Sequence, residues 1–168
     1  PAPGKKPLVI ATWDAGINAN KNAWKVLRSG GRSLDAVEQG VMTTESEISC
    51  CVGLGANPDR DGHVTLDASI MDEHGNCGSV AFLERIKHPI SVARMVMEKT
   101  PHVLLVGDGA LQFALAQGFK KENLLTAASE KAWREWLKKA EYKPIANIEN
   151  HDTIGMVALD QQQNMSGA

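Results

Sequence analysis

The apolar residues of this chain come in short runs, none approaching the roughly 18 consecutive residues a membrane span needs. The longest, such as residues 103–106, are of strand length, and between them lie segments with apolar side chains at helical spacing. That alternation constrains the fold more than any other feature. Short strands and amphipathic helices in one chain must build a sheet and cover it with helices. At 168 residues the chain can bury a core without staples. Its hydrophobic fraction of 43% and charged fraction of 23% are those of an ordinary globular domain.

Residues 8–12 form an apolar run after Pro7, bounded by Asp14 and Gly16, and read as a buried strand. Residues 20–28 place Ala23, Trp24 and Leu27 at helical spacing and close at Gly30-Gly31. Ser33 is placed to cap a second helix, with Leu34, Val37 and Val41 on one face. Residues 50–62 are rich in turn residues. Residues 64–71 and 77–81 read as a hairpin around a turn at 72–76. Residues 90–98 are helical, 103–106 a buried strand, and 110–117 a helix ended by Gly118. Thr126 is placed to cap a helix reaching residue 139, with Trp133, Trp136 and Leu137 on its apolar side. A polar connection at 143–150 leads into an alternating strand at 153–160, which residues 161–164 turn toward 165–168. Hairpins and crossovers together favour a layered α/β or α+β domain. A simple doubly wound sheet fits two hairpins less well.

Several chemistries are disfavoured at once. The net charge is −2 and no region is strongly basic, which argues against a binder of nucleic-acid backbones. Three cysteines are too few for a disulfide scaffold. Cys50 and Cys51 are adjacent and Cys77 is alone. A disulfide between neighbours is strained, so all three are expected as thiols. The five histidines show no zinc-site spacing. Gly53-Leu54-Gly55 and Gly107-Asp108-Gly109 resemble the opening of a dinucleotide loop. Gln112 stands where the second would need its third Gly, and no Gly-Lys-Ser/Thr follows either. Tight turns are the simpler reading. Trp133 and Trp136 sit at packing positions, whereas Trp13 follows a strand and opens a loop, where binding residues gather.

The sharpest local feature is Asn150-His151-Asp152-Thr153-Ile154-Gly155, where a polar connection ends and a Thr opens a strand. An internal Thr is a poor nucleophile with no base of its own, and on spacing alone Thr153 reads as a cap or turn residue. Backbone cleavage before it changes that. A new α-amino group has a pKa of about 7.7–8.0, so roughly a tenth to a sixth is neutral at pH 7. That amine reaches its own hydroxyl and can act as the base.

The run His151-Asp152-Thr153-Ile154-Gly155-Met156-Val157 resembles the processing site of the glycosylasparaginases (aspartylglucosaminidases), which are N-terminal-nucleophile hydrolases. The resemblance runs through the whole chain in order. It includes Ala11-Thr12-Trp13, Leu34-Asp35-Ala36-Val37-Glu38, Val52-Gly53-Leu54-Gly55 with Asn57-Pro58-Asp59, Leu66-Asp67-Ala68-Ser69-Ile70-Met71-Asp72 and Thr100-Pro101-His102. Ala56 stands where relatives usually have a further Gly, and Cys50-Cys51 falls in a variable stretch.

The resemblance implies an α/β fold, a four-layer αββα sandwich. Residues 1–152 would be the α-subunit portion of a single domain, and residues 153–168 the start of the β-subunit. The precursor would cut itself between Asp152 and Thr153, with Asp152 and His151 assisting. Mature Thr153 would attack the side-chain amide of a glycosylated asparagine and form a covalent β-aspartyl enzyme. Trp13 matches a family residue at the substrate pocket. The implied partners are the glycosylated asparagine, the remainder of the β-subunit and a second αβ unit, without nucleic acid or membrane. No metal or cofactor is implied, since amine, hydroxyl and oxyanion donors suffice. The holders of the substrate carboxylate and the oxyanion hole would lie downstream of Ala168, so this piece alone is expected to be inactive. The absence of Met at Pro1 leads us to expect a removed leader, and the final residues read as an interrupted strand. Location stays open between periplasmic, secreted and lysosomal.

The rival branch is the asparaginase and β-aspartyl (isoaspartyl) peptidase group, in which a Gly usually precedes the Thr. Here His151-Asp152 precedes it and Trp13 is present, and both favour the glycosylasparagine branch. A non-catalytic α/β module binding an anion on its Gly-rich turns, or a degenerate homologue, would predict an uncut chain.

Overall fold

A computed structural model describes residues 6–49, 51–139 and 153–168. His151, Asp152 and Cys50 lie outside them. The elements are β1 (Leu8–Ala11), α1 (Gly16–Arg28), α2 (Ser33–Ser46), β2 (Thr65–Met71), β3 (Cys77–Glu84), α3 (Pro89–Lys99), β4 (Leu104–Val106), α4 (Gly107–Ala116), α5 (Ala127–Leu137), β5 (Met156–Leu159) and β6 (Met165–Gly167). The strands form one six-stranded mixed sheet in the order β1-β5-β6-β2-β3-β4. Only β3 and β4 run parallel; the other neighbours are antiparallel. The domain is α/β, and both expected hairpins, β2–β3 and β5–β6, are present.

Period-2 alternation in the strands and 3.6-residue spacing in the helices build one core layer. Leu27 from α1, Leu34 and Val37 from α2, and Ile90, Ala93 and Val96 from α3 are fully or almost fully buried. They pack on Ile70, Val80, Leu83, Met156 and Ala158 of the sheet. The opposite sheet face carries Leu8, Ile10, Val157, Met165, Met71, Leu104 and Val106, each 46–60% exposed. Registers such as Ile10↔Val157, Val157↔Gly167, Met71↔Gly167 and Met71↔Cys77 place these residues on one side. Among the described residues nothing covers that side. The reading of residues 8–12 and 103–106 as buried strands is therefore corrected: β1 and β4 bury one face and expose the other. Their continuous apolar runs serve two faces, of which the helices cover one.

Helix ends show where local reading holds. Thr126 caps α5 as expected, in a capping box with Ser129: the Ser129 amide donates to Thr126 Oγ1 at 3.2 Å, and the Thr126 amide to Ser129 Oγ at 3.0 Å. Ser33 does not cap α2. The N-cap is Arg32, and Ser33 is the first helical residue. Its hydroxyl bonds Ser166 Oγ at 2.9 Å, and its amide donates to Asp160 Oδ2 at 3.3 Å. The cap thus comes from the β5–β6 turn. That turn and the β2–β3 turn share one device, an Asp whose carboxylate accepts amides two and four residues on and the side chain of a following Asn (Asp72 with Asn76, Asp160 with Asn164).

Candidate active site

Thr153 is exposed and stands three residues before β5. Behind it the chain is anchored twice. Ile154 is buried, 9% exposed. Gly155 is bonded to Thr12 just past β1: the Thr12 amide donates to the Gly155 carbonyl at 3.0 Å, and the Gly155 amide donates to Thr12 Oγ1 at 2.9 Å. Thr153, Ile154 and Gly155 open onto a cleft of about 700 Å³, large enough for a small-molecule ligand. The far wall comes from the end of α2, the turn after it, β2, β3 and the start of α3.

The Gly-rich turn is built for close approach. Gly53 has φ +63°, and a Cβ there would lie 2.2 Å from the carbonyl oxygen of Glu45. That same oxygen accepts the Leu54 amide at 3.0 Å, so the turn lies directly against the end of α2. Ala56, at a position where a Gly was expected, is buried and outside the positive-φ region, so its methyl is tolerated. The turn reading of Gly53-Leu54-Gly55 holds. Gly107-Asp108-Gly109 forms the first turn of α4 rather than a loop before it.

Two carboxylates face the cleft. Glu45 is 3% exposed, yet both oxygens are engaged. Oε1 accepts the Ile90 amide and Oε2 meets His88 Nδ1, each at 3.0 Å. Burial pushes its carboxyl above the ordinary glutamate range, while the His88 and Ile90 bonds pull the other way. Asp67 sits at a β-bulge between Leu66 and Ala68 and accepts the Phe82 amide at 2.7 Å. Phe82, with φ +52°, is the extra residue across from it. Hydroxyls of Ser69 and Ser79 pair across the strands at 3.0 Å. Among the described residues lining the cleft there is no Lys, Arg or His, so a substrate carboxylate finds no cation on these walls. No group of three or more potential metal ligands occurs among the described residues.

Trp13 lies at the same sheet end as Thr153 but does not line this cleft. It is 55% exposed and holds φ +60°, a conformation rare for a bulky side chain. Its carbonyl accepts the Gly16 amide at 3.1 Å, which opens α1. The turn closes tightly enough that a Cβ on Gly16 would meet Ala11 Cβ at 2.8 Å. Cys51 lines the cleft and is disulfide-bonded, which corrects the thiol expectation there, whereas Cys77 is free. Of the residues expected on the apolar side of α5, Trp133 is half-buried and its Nε1–H donates to the Arg60 carbonyl at 3.1 Å, whereas Trp136 and Leu137 are 45% and 40% exposed. Glu45, Asp67 and Thr12 do not stand out as site residues in the sequence, although the last two fall in runs that carry the resemblance, since each owes its place to a contact with another part of the chain.

The family model described as asparaginase matches residues 14–168. A protein of Elizabethkingia miricola named N(4)-(beta-N-acetylglucosaminyl)-L-asparaginase is 68% identical over all of this chain and 50% of its own length. A rat protein of the same name is 41% identical over 91% of this chain and 53% of its own. A putative one from Drosophila persimilis is 38% identical over 96% of this chain and 52% of its own. The chain thus spans about half the length of the curated relatives it matches.

Proposed function

The chain belongs to the asparaginase family, and from that premise we propose that it is the opening half of a self-processing glycosylasparaginase whose nucleophile is Thr153. The observation that carries this reading is the placement of Thr153: exposed at a 700 Å³ cleft, on a segment anchored by Ile154 and Gly155. A nucleophile must be accessible and held, and this one is both. The names of the relatives supply the substrate class, an asparagine whose side-chain nitrogen carries N-acetylglucosamine.

In the proposed reaction the Thr153 hydroxyl first attacks the Asp152 carbonyl. The peptide bond becomes an ester, and water hydrolyses the ester. Asp152 and His151 assist this step. The freed α-amino group then takes the proton from the Thr153 hydroxyl, which attacks the substrate's side-chain amide carbon. The glycosylamine leaves with that proton, a β-aspartyl ester remains, and water releases aspartate. Residues 1–152 form one subunit and Thr153 begins the other. Trp13, at the same sheet end as Thr153 though outside the described lining of the cleft, is proposed to contact substrate as the family resemblance implies: a half-exposed aromatic in a costly backbone conformation of about 1–3 kcal/mol is the kind of strain that gathers at binding sites. The acidic cleft lining fits a substrate-carboxylate holder supplied by the part of the protein downstream of Ala168.

The four-layer αββα sandwich is proposed on the open sheet face. Seven large apolar side chains there need a cover, and a second sheet from the remainder of the β-subunit supplies one. The assembled protein is proposed to pair two αβ units.

The test is hydrolysis by the full-length gene product and by its Thr153→Ala variant. N-acetylglucosaminyl-asparagine should be consumed by the wild type and left intact by the variant. Retained hydrolysis in the variant would refute the nucleophile, and preference for a β-aspartyl dipeptide would move the protein to the peptidase branch.

A further inference from the structure

The β1–β5 ladder runs from Leu8↔Leu159 to Ala11↔Met156. One residue further on, Thr12 faces Gly155. At such a position of an antiparallel ladder the two residues exchange both amide-to-carbonyl bonds. The first is present, from the Thr12 amide to the Gly155 carbonyl at 3.0 Å. The second is replaced: the Gly155 amide donates to Thr12 Oγ1, at 2.9 Å, and not to the Thr12 carbonyl. The cause lies one residue on, where Trp13 turns the backbone through φ +60°. β1 leaves the sheet at Thr12, and a side-chain oxygen completes the last rung.

That rung lies next to the site. Only Ile154 separates Gly155 from Thr153. In the uncut chain Thr153 is covalently joined to residues on both sides. After cleavage it is a chain end, and chain ends fray unless tied down. Among the described residues, the Thr12 rung and the buried Ile154 side chain are then the ties nearest the nucleophile. We infer that Thr12 is a positioning residue: its hydroxyl oxygen holds the mature N-terminal Thr153 in place through the Gly155 amide, and turnover depends on it more than self-cleavage does. This rests on Thr153 being the nucleophile.

The test compares Thr12→Val, which keeps the shape and loses the acceptor, with Thr12→Ser, which keeps the acceptor, in the full-length protein. Thr12→Val should cut itself to the wild-type extent yet lose about tenfold or more in kcat, with KM changed about twofold at most. Thr12→Ser should recover most of that kcat. A Thr12→Val enzyme with wild-type kcat would overturn the inference, as would a folded Thr12→Ser enzyme as impaired as the valine variant. A second readout does not need the chemistry. In an uncut Thr153→Ala background, Thr12→Val should speed hydrogen exchange at the Gly155 amide and Thr12→Ser should not. Equal protection in both would refute the rung itself. Wild-type protein that neither cuts nor hydrolyses, with this exchange pattern intact, would locate the failure in the nucleophile reading and remove the positioning role with it.

Discussion

Replacing Glu45 probes the wall of the cleft. Its carboxylate joins the end of α2 to the start of α3 through the Ile90 amide and His88 Nδ1, both at 3.0 Å. Glu45→Ala removes two hydrogen bonds to a charged acceptor, each worth about 1.5–3 kcal/mol, and leaves a buried amide without its acceptor. Opposing this is the relief of a buried carboxylate's desolvation, several kcal/mol in size. The second effect cancels part of the first, and a net loss of about 3 kcal/mol is expected, at the lower end of the range for breaking a buried pair. Glu45→Gln keeps an acceptor for Ile90 and should lose about 1 kcal/mol. Urea unfolding in the Thr153→Ala background, where the chain stays in one piece, measures both. The pH dependence carries a sign. Burial raises the Glu45 carboxyl above its ordinary value of 4.5, so the folded state holds that proton more tightly than the unfolded chain. The group's contribution is fully present below that value and lost as pH rises through the folded one. The advantage of wild type over Glu45→Gln should therefore shrink with rising pH. A Glu45→Ala protein within about 0.5 kcal/mol of wild type would refute the claim that this carboxylate joins the helices.

Trp13→Ala should weaken substrate use and leave self-cleavage intact; equal loss of both would make Trp13 a folding residue. Arg32 donates to both Glu73 oxygens, with Nε at 2.9 and 3.2 Å and Nη2 at 3.0 Å, and holds that carboxyl below its ordinary value. A group with a lowered pKa stabilises above its unfolded value and loses the effect as pH falls through the folded one. Arg32→Ala should thus cost about 1 kcal/mol near neutrality, since the guanidinium is partly open to solvent, and nothing once Glu73 and Asp72, whose Oδ2 lies 3.6 Å from Arg32 Nη2, are both protonated. A cost that persists in acid, read by urea unfolding against pH, would contradict this.

Features set by neighbouring residues were legible in the sequence. The α5 cap at Thr126 needs only Ser129, three residues on. Both hairpins follow from alternation and their turns. The helices α2 and α3 follow from the spacing of Leu34, Val37 and Val41 and of Val92 and Val96. What depended on distant partners was not. Ser33 had the composition of a cap, but Asp160, far along the chain, takes that role. α1 begins at Gly16, four residues before the expected start, with no capping side chain to mark it. The runs in β1 and β4 look the same whether one or two faces are covered. Of the proposed site residues, Thr153 and Trp13 stood out by position and resemblance. Glu45 reads as one more helix residue until residues 88–90 fold against it, and Thr12 as the end of a strand until Gly155 arrives.

The central claim is that the bond before Thr153 is cut by the protein itself. Intact mass of the full-length gene product, expressed with Thr153 unaltered, tests it most directly. The account predicts two masses that meet between Asp152 and Thr153, and one uncut mass for Thr153→Ala. A single uncut mass from folded protein with Thr153 in place would contradict it.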